Sequence, residues 1–234
     1  MTTSEGMEKF HALFLYMPHF AHLIFDLDGT LVDTKADLAA ATNFMLAALK
    51  LPTLTLPQVE RLVGEGARVL VERALGPQRS ELVPCGFTLF MEYYTAHLLD
   101  HTHAYPGMGE LLAAAHTQGL ALSVLTNKPE VPSRAILTGL GLAHFFSALV
   151  GGDTLPVRKP NPQGVHSLQR MTGIDLTATL LIGDSCIDVE TGRAAGVTTC
   201  GVTWGFGTEG MRTCSPQFLV DSVPQLATLV LSSV

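Results

Sequence analysis

The amino-acid sequence predicts an α/β fold, a doubly wound parallel sheet with an inserted all-helical cap domain. Two observations predict the sheet: short apolar runs recur without polar alternation, and helical patterns that end near a glycine separate them. A third observation predicts the insertion, because residues 34–103 contain helical patterns and no convincing strand.

The apolar runs are interpreted as strands that helices cover on both faces. The predicted strands are Leu23–Phe25, Leu120–Leu125, Ala148–Val150, Thr179–Ile182 and Thr198–Val202. The predicted helices of the core are Met108–Thr117, Ser133–Leu140, Pro162–Met171 and Ile187–Ala195. A glycine stands shortly after each of these helices, which is a common stop signal because glycine adopts the left-handed conformation easily.

The inserted segment, residues 34–103, is predicted to be a helical cap. Its helical patterns cover Lys35–Lys50, Leu56–Val63, Gly66–Leu75 and Phe87–Leu99. The core then comprises residues 22–33 and 104–234, and residues 1–21 form an N-terminal extension. Pro18 and three histidines interrupt the apolar part of that extension, so we do not expect it to cross a membrane or to act as a signal sequence.

Composition and charge exclude some classes of partner. The chain of 234 residues is 47% hydrophobic and 15% charged, with a formal net charge of −7. No cluster of Lys and Arg can follow a nucleic-acid backbone, so nucleic acid is not an expected partner. The four cysteines form no CxxC pair and are interpreted as reduced thiols, which favours a cytoplasmic location.

Two aspartates follow the first predicted strand. Asp26 and Asp28 are one residue apart, and Gly29 and Thr30 come next. Side chains at i and i+2 of an extended chain point the same way, so two carboxylates there require a positive partner. A carboxylate can attack phosphorus and form an aspartyl-phosphate, and a second one can move protons at the leaving oxygen. The pair therefore predicts a site for Mg²⁺ and phosphate, with Asp26 as nucleophile and Asp28 as acid and base.

Polar side chains also follow three later strands, whose carboxyl ends we expect at the same edge of the sheet. Thr126 and Asn127 offer donors for phosphate oxygens, and Lys159 offers a fixed positive charge. Asp184 can join the first aspartate as a ligand of Mg²⁺, which takes one or two carboxylates besides phosphate and water. Asp188 lies one helical turn further on. Each segment alone also suits an ordinary turn, surface loop or helix start.

The order of these segments resembles the haloacid dehalogenase superfamily of phosphotransferases. The matching segments are Asp26–Thr30, Thr126–Asn127, Lys159–Pro160 and Gly183–Asp184 with Asp188. The resemblance covers nearly the whole chain from His22 onward and implies a Rossmann-like core. It also implies that Asp26 is the nucleophile and Asp28 the acid and base, while Thr126 and Lys159 hold the phosphoryl group.

The same resemblance implies a bound Mg²⁺ as cofactor. Its expected ligands are the Asp26 side chain, the main-chain carbonyl of Asp28 and the Asp184 side chain, with Asp188 in a supporting position. The expected partner is a small phosphorylated metabolite, and the protein is expected to be a monomer or a homodimer.

A closer resemblance is to the phosphoglycolate phosphatase family, which implies hydrolysis of 2-phosphoglycolate to glycolate and phosphate. It rests on Leu31–Asp33, Val63–Ala67, Val69–Leu75, Leu125–Pro129 and Gly151–Asp153. Glu65 and Arg68 depart from the residues expected in the cap, which selects the substrate. Arg68 can clamp a substrate carboxylate, or it can be an exposed arginine on an ordinary cap helix.

Other functions stay open at this point. A β-phosphoglucomutase-like phosphotransferase or another small-metabolite phosphatase of the superfamily would share the core and differ in the cap. A dehalogenase would have no use for Asp28, because displacement at carbon creates no alkoxide to protonate. A noncatalytic binding protein on this fold would have no reason to keep the full set of polar residues at the strand ends.

Overall fold

The computed structural model describes residues 19–231. In chain order its strands are β1 (His22–Phe25), β2 (Val32–Asp33), β3 (His103–Ala104), β4 (Ala121–Leu125), β5 (Ala148–Val150), β6 (Thr179–Gly183), β7 (Thr198–Val202) and β8 (Phe218–Val220). Six of them form a parallel sheet in the order β5-β4-β1-β6-β7-β8. The order reverses at β1, so its carboxyl end is the switch point where such sheets bind ligands. The predicted fold class is confirmed.

The inserted segment is helical, as predicted. Its helices are α1 (Lys35–Ala48), α2 (Leu56–Glu60), α3 (Ala67–Leu75) and α4 (Val83–Ala96), with a 3₁₀ turn at Pro77–Leu82. They bury apolar side chains such as Met45, Val71 and Phe90, each fully removed from solvent. Helix α4 begins four residues before the predicted start, because Pro84 occupies its first turn, where a missing N–H costs nothing.

A short antiparallel ribbon connects the two ends of the insertion. In this ribbon β2 pairs with β3, so that Val32 lies opposite Ala104 and Asp33 opposite His103. The sequence did not predict these strands, because two residues carry no periodicity. The proposed boundaries of the cap, before residue 34 and after residue 103, fall at this ribbon.

The remaining helices cover the two faces of the sheet. They are α5 (Met108–Thr117), α6 (Glu130–Gly139), α7 (Gln163–Thr172), α8 (Cys186–Ala195), α9 (Thr208–Met211) and α10 (Val223–Leu231), with 3₁₀ turns at Ala143–Phe145 and Leu176–Ala178. The glycines predicted to stop four of them, Gly119, Gly141, Gly173 and Gly196, all have a positive φ. Among the described residues, no helix is both long enough and apolar enough to span a membrane.

The four cysteines lie in different surroundings. Cys186, at the start of α8, and Cys214 lie side by side with a Cα–Cα distance of 5.4 Å, because the chain after β7 folds back onto the start of α8. Cys85 is exposed and Cys200 is buried. The predicted extension, residues 1–21, lies mostly outside the described residues.

Candidate active site

Asp26 directly follows β1, at the switch point of the sheet. Its Oδ1 atom accepts hydrogen bonds from the Leu27 amide at 2.7 Å and from Lys159 Nζ at 2.8 Å. Its Oδ2 atom accepts none from the described residues. Burial raises the pKa of this carboxyl to about 6, the charge of Asp188 acts in the same direction, and Lys159 opposes both. One oxygen is thus fixed while the other is available to attack.

Lys159 provides the positive charge of this site. Its ammonium lies between Asp26 and Asp188, 2.8 Å and 2.6 Å from their nearest oxygens, and its side chain is only 2% exposed. Burial alone would lower the pKa of Lys159, but the two carboxylates raise it above its ordinary value. The residue therefore stays charged, and it can balance negative charge on a phosphoryl group as well.

Asp184 follows β6, the strand beside β1. Its Oδ2 atom accepts hydrogen bonds from the amides of Phe206 at 2.6 Å and Gly207 at 3.2 Å, so a later loop fixes its orientation. Burial and the charges of neighbouring carboxylates raise the pKa of Asp184 to about 7. Gly29 has a φ of 80°, and a Cβ atom there would collide with the Asp184 carboxylate. The glycine is required for this close approach.

These carboxylates form a site that fits a hard divalent cation. Candidate ligand atoms of Asp26, Asp184 and Asp188 all lie within 4.8 Å of one another. Oxygen ligands of this kind suit Mg²⁺, Ca²⁺ or Mn²⁺. Asp188 is already held at both oxygens, by Lys159 at 2.6 Å and by the Ser185 hydroxyl at 2.7 Å. Asp188 thus contacts both Lys159 and the start of α8, and it lies beside the other two carboxylates.

Asp28 is held by a different set of donors. Thr34 donates its hydroxyl to Oδ1 at 2.7 Å, and Lys128 Nζ lies 3.0 Å from both carboxylate oxygens. The Lys128 ammonium also lies 4.6 Å from the centre of the Tyr94 ring, which belongs to cap helix α4. Sequence reasoning did not assign a role to Lys128 or Tyr94. The available signal was a charged residue directly after Thr126 and Asn127.

Thr126 and Asn127 follow β4 and differ in what they can bind. The Thr126 oxygen accepts from the Lys128 amide at 3.2 Å, which leaves the hydroxyl proton for an anion. Asn127 uses its amide group to donate to the carbonyls of Gly64 at 3.1 Å and Lys159 at 3.2 Å. The sequence predicts that both residues bind phosphate. Thr126 has a hydroxyl proton available for that role, whereas the amide group of Asn127 connects the core to the cap.

A cavity of about 460 Å³ lies between this edge of the sheet and the cap. Its core side includes Asp26, Asp28, Thr126, Lys128 and Asp184. Its cap side includes Leu38, Pro57, Arg61, Gly66 and Leu70. The sheet edge thus brings most of the predicted core residues to one cavity, whereas Lys159 and Asp188 lie behind its wall.

The cap residues singled out from the sequence lie outside that cavity. Arg68 is 55% exposed and pairs with Glu72 one turn later on α3, at 3.2 Å. Glu65 pairs with Arg73, also within the cap. Neither Arg68 nor Glu65 lines the cavity, so in this arrangement Arg68 is not in position to clamp a bound carboxylate.

Fold and site together define an enzyme that hydrolyses phosphomonoesters: an available carboxylate, a buried lysine and a cation site meet at the switch point of a parallel sheet. More particularly, the chain belongs to the haloacid dehalogenase-like hydrolase family, whose sequence model matches residues 23–202.

Several similar proteins within this family carry the same name. The chain is 38% identical over 217 residues to a phosphoglycolate phosphatase of Neisseria meningitidis serogroup A, covering 89% of this chain and 92% of the relative. A phosphoglycolate phosphatase of Agrobacterium fabrum is 36% identical over 207 residues, with coverages of 87% and 89%. A crystal structure of a predicted phosphoglycolate phosphatase from Haemophilus somnus 129pt superimposes with a TM-score of 0.86 at 32% identity, covering 90% of this chain and 97% of that one.

Proposed function

We propose that the protein is a Mg²⁺-dependent phosphatase of 2-phosphoglycolate that acts in the cytoplasm and releases glycolate and phosphate. The observation that carries the proposal is the Asp26 carboxylate, which has one oxygen fixed by Leu27 and Lys159 and the other available inside the cavity. The relatives named phosphoglycolate phosphatase support the choice of substrate.

The proposed reaction has two steps at the same phosphorus atom. Asp26 Oδ2 attacks, an oxygen–phosphorus bond forms, and the bond from phosphorus to the ester oxygen breaks while Asp28 gives that oxygen a proton. Asp28 then takes a proton from a water molecule that attacks the aspartyl-phosphate, which releases phosphate and restores Asp26. Lys159 and the Thr126 hydroxyl hold the phosphoryl oxygens throughout.

The cation expected at Asp26 and Asp184 would supply positive charge close to the phosphoryl group. The proposed ion is Mg²⁺, because the candidate ligands are carboxylate oxygens and the substrate itself brings phosphate oxygens. Asp188 supports the same site through Lys159. This assignment predicts that chelation of divalent ions abolishes turnover and that added Mg²⁺ restores it.

The size of the cavity favours a small metabolite. A volume of about 460 Å³ lies in the range of small-molecule sites, and the cap covers it, so a phosphoester of a few carbon atoms can be enclosed. Enclosure also limits the access of bulk water while the aspartyl-phosphate exists.

The test is a panel of kcat/KM values for the purified protein with Mg²⁺. The substrates are 2-phosphoglycolate, glucose 6-phosphate, β-glucose 1-phosphate, a nucleoside monophosphate and pyrophosphate. We expect 2-phosphoglycolate to exceed each of the others by at least about tenfold, or roughly 1.4 kcal/mol of transition-state binding. Preference for a sugar phosphate, or transfer to a sugar rather than to water, would identify the mutase-like alternative. No turnover of any ester would contradict the proposal.

A further inference from the structure

Lys128 is a buried cation of the cavity that the proposed reaction does not use. It stands in the core, three residues after the end of β4, and its side chain is 4% exposed. Its ammonium lies 3.0 Å from both oxygens of Asp28, and the residue lines the cavity. Burying the charged group of a lysine costs free energy unless a group of opposite charge pairs with it.

We propose that Lys128 selects substrates that carry a carboxylate next to the phosphate ester, by pairing its ammonium with that carboxylate. This inference rests on the proposed function and names the residue that gives it its substrate class. It assigns recognition of the organic part of the substrate to the core, whereas a clamp by Arg68 of the cap was one of two alternatives that the sequence left open.

The first argument is one of reach. To give a proton to the ester oxygen, the Asp28 carboxyl has to come within about 2.6–3.2 Å of that oxygen. Lys128 Nζ lies 3.0 Å from that same carboxyl. In 2-phosphoglycolate a single methylene group separates the ester oxygen from the carboxylate. A substrate whose ester oxygen contacts Asp28 therefore carries its carboxylate into the neighbourhood of the Lys128 ammonium.

The second argument is one of charge. A carboxylate that enters this cavity meets Asp26, Asp28 and Asp184, so it requires a positive group on the side of the leaving oxygen. Lys159 lies between Asp26 and Asp188, and the proposed reaction assigns it to the phosphoryl group. Lys128 is the buried cation beside Asp28, and an ion pair shielded from solvent is stronger than an exposed one.

The other candidate cations of the cap are less suited to this role. Arg61 lines the cavity but is solvent-exposed on the cap, where salt screens its charge. Arg68 is exposed, pairs with Glu72 and does not line the cavity. Among the described residues, Lys128 is therefore the cation that combines burial, a place in the cavity wall and contact with the acid and base.

The cap contributes by fixing the position of the ammonium. Tyr94 on α4 is 2% exposed, and its ring centre lies 4.6 Å from Lys128 Nζ, within the range of a cation–π interaction. The Tyr94 hydroxyl has no hydrogen-bond partner among the described residues, so the ring face is its main polar contribution. An ammonium held between Tyr94 and Asp28 has little freedom to lose when a carboxylate binds.

The test compares 2-phosphoglycolate with 2-hydroxyethyl phosphate, in which a neutral hydroxymethyl group replaces the carboxylate. Four proteins are measured: the wild type, Lys128→Met, Arg68→Met and Arg170→Met, an exposed arginine on α7 that serves as the control. We expect Lys128→Met to lower kcat/KM for 2-phosphoglycolate at least about thirtyfold more than for the neutral ester. Arg68→Met and Arg170→Met should keep the wild-type preference.

The outcomes separate this inference from the proposed function. A wild type without preference for 2-phosphoglycolate contradicts the proposed function, whatever the variants do. If the wild type has the preference and Lys128→Met keeps it, or loses both activities equally, Lys128 only supports Asp28 and the inference is wrong. If Arg68→Met loses the preference instead, the cap recognises the substrate carboxylate, and the inference is also wrong.

A second comparison covers the case in which Lys128→Met does not fold, since it leaves Asp28 without its partner. The comparison uses the single variant Asp28→Asn and the double variant that combines it with Lys128→Met. The two proteins differ only in the ammonium of residue 128. The double variant lacks both charges of the ion pair, so no buried charge is left without a partner. Calorimetric titration with Mg²⁺ and each ester should show that Asp28→Asn binds 2-phosphoglycolate at least about tenfold more tightly than the neutral ester. The double variant should bind both alike; an unchanged difference would overturn the inference.

Discussion

The edge of the sheet and the surface of the cap differ in how their charged side chains are held. At the edge, Lys159 and Asp188 are each 2% exposed and contact each other at 2.6 Å. On the cap, Arg68 and Glu72 are about half exposed and pair with each other. Buried charges with several partners have fixed positions, whereas exposed pairs contribute little. The comparison shows that the charged side chains of the sheet edge have fixed positions, whereas those of this cap surface do not.

The cap contacts the core through main-chain carbonyl groups as well as through side chains. Asn127 of the core donates to the Gly64 carbonyl at 3.1 Å, and Arg158 of the core donates to the Glu65 carbonyl at 3.1 Å. Because carbonyl groups accept these two hydrogen bonds, the two contacts do not depend on which side chains the cap carries at positions 64 and 65.

The largest expected effect concerns the nucleophile at the sheet edge. Asp26→Asn keeps the shape of the side chain and an oxygen for the Leu27 amide, but an amide cannot form the acyl phosphate. We expect kcat to fall by roughly 10⁴-fold or more, about 5.5 kcal/mol, in steady-state assays with Mg²⁺. The exposed cap variant Asp100→Asn is the matched control and should change kcat by less than about twofold. A comparable loss of kcat in both variants would contradict the expected difference between the sheet edge and the cap surface.

The next effect concerns Asp184 and the cation. Asp184→Asn removes one of the two proposed carboxylate ligands while it can still accept from Phe206 and Gly207. We expect turnover to fall by at least about a hundredfold and the Mg²⁺ concentration for half-maximal activity to rise. A variant with normal Mg²⁺ dependence would show that the cation lies elsewhere.

The same carboxyl groups predict how stability depends on pH. Folding raises the pKa of Asp26 to about 6 and of Asp184 to about 7, from ordinary values of 3.8. The native state therefore binds these protons more tightly than the unfolded state, and the unfolding free energy in EDTA should fall as pH rises from about 4 to about 7. Added Mg²⁺ should raise Tm more at pH 8 than at pH 5. Calorimetry measures both; a rise of stability across this range in EDTA would contradict the assignment.

A smaller effect is expected where the cap loop meets the core. Gly66 has a φ of 93°, and a Cβ atom there would lie 2.8 Å from the Asn127 carbonyl oxygen. Gly66→Ala should therefore lift the loop from the core, at a cost of roughly 1–3 kcal/mol, and lower kcat/KM about tenfold. The control Gly109→Ala lies in α5 with open space around its Cβ and should leave kcat/KM unchanged. Equal kinetics for both variants would show that this contact is not needed.

The smallest effect is expected at the cap surface. Arg68→Ala removes an exposed pair with Glu72, which is worth about 0.3–0.5 kcal/mol at such a position. We expect kcat/KM to change by less than about twofold for every phosphoester, in the same assay as above. A sharp drop confined to carboxylated esters would support Arg68 as a clamp, one of the two alternatives that the sequence left open.

Most of the fold could be predicted because its strands are apolar runs with clear stop signals. The five predicted strands are present, and the predicted core helices differ from the observed ones by a few residues. The ribbon of β2 and β3 could not be predicted, because strands of two residues form through pairing and not through periodicity. Strand β8 is also short, and it forms at the edge of the sheet beside β7.

The sequence predicted correctly that several polar side chains meet at one edge of the sheet. Asp26, Lys159 and Asp184 converge because each follows a parallel strand. The contact of Lys128 with Asp28 depends on two chain segments 100 residues apart, and the support from Tyr94 depends on how the cap packs. No local pattern encodes such contacts. The pairing of Arg68 with Glu72 is different, because the two residues are four apart on one helix and such a contact is local.

The most direct test of the central claim is to trap the aspartyl-phosphate. The protein is mixed with 2-phosphoglycolate and Mg²⁺, quenched in acid and reduced with borohydride, which converts an acyl phosphate of aspartate into homoserine. Peptide mass spectrometry should then find homoserine at position 26, and not in samples that lack the ester or Mg²⁺ or that carry Asp26→Asn. Turnover without homoserine at position 26, or with homoserine at another aspartate, would contradict the assignment of Asp26 as nucleophile.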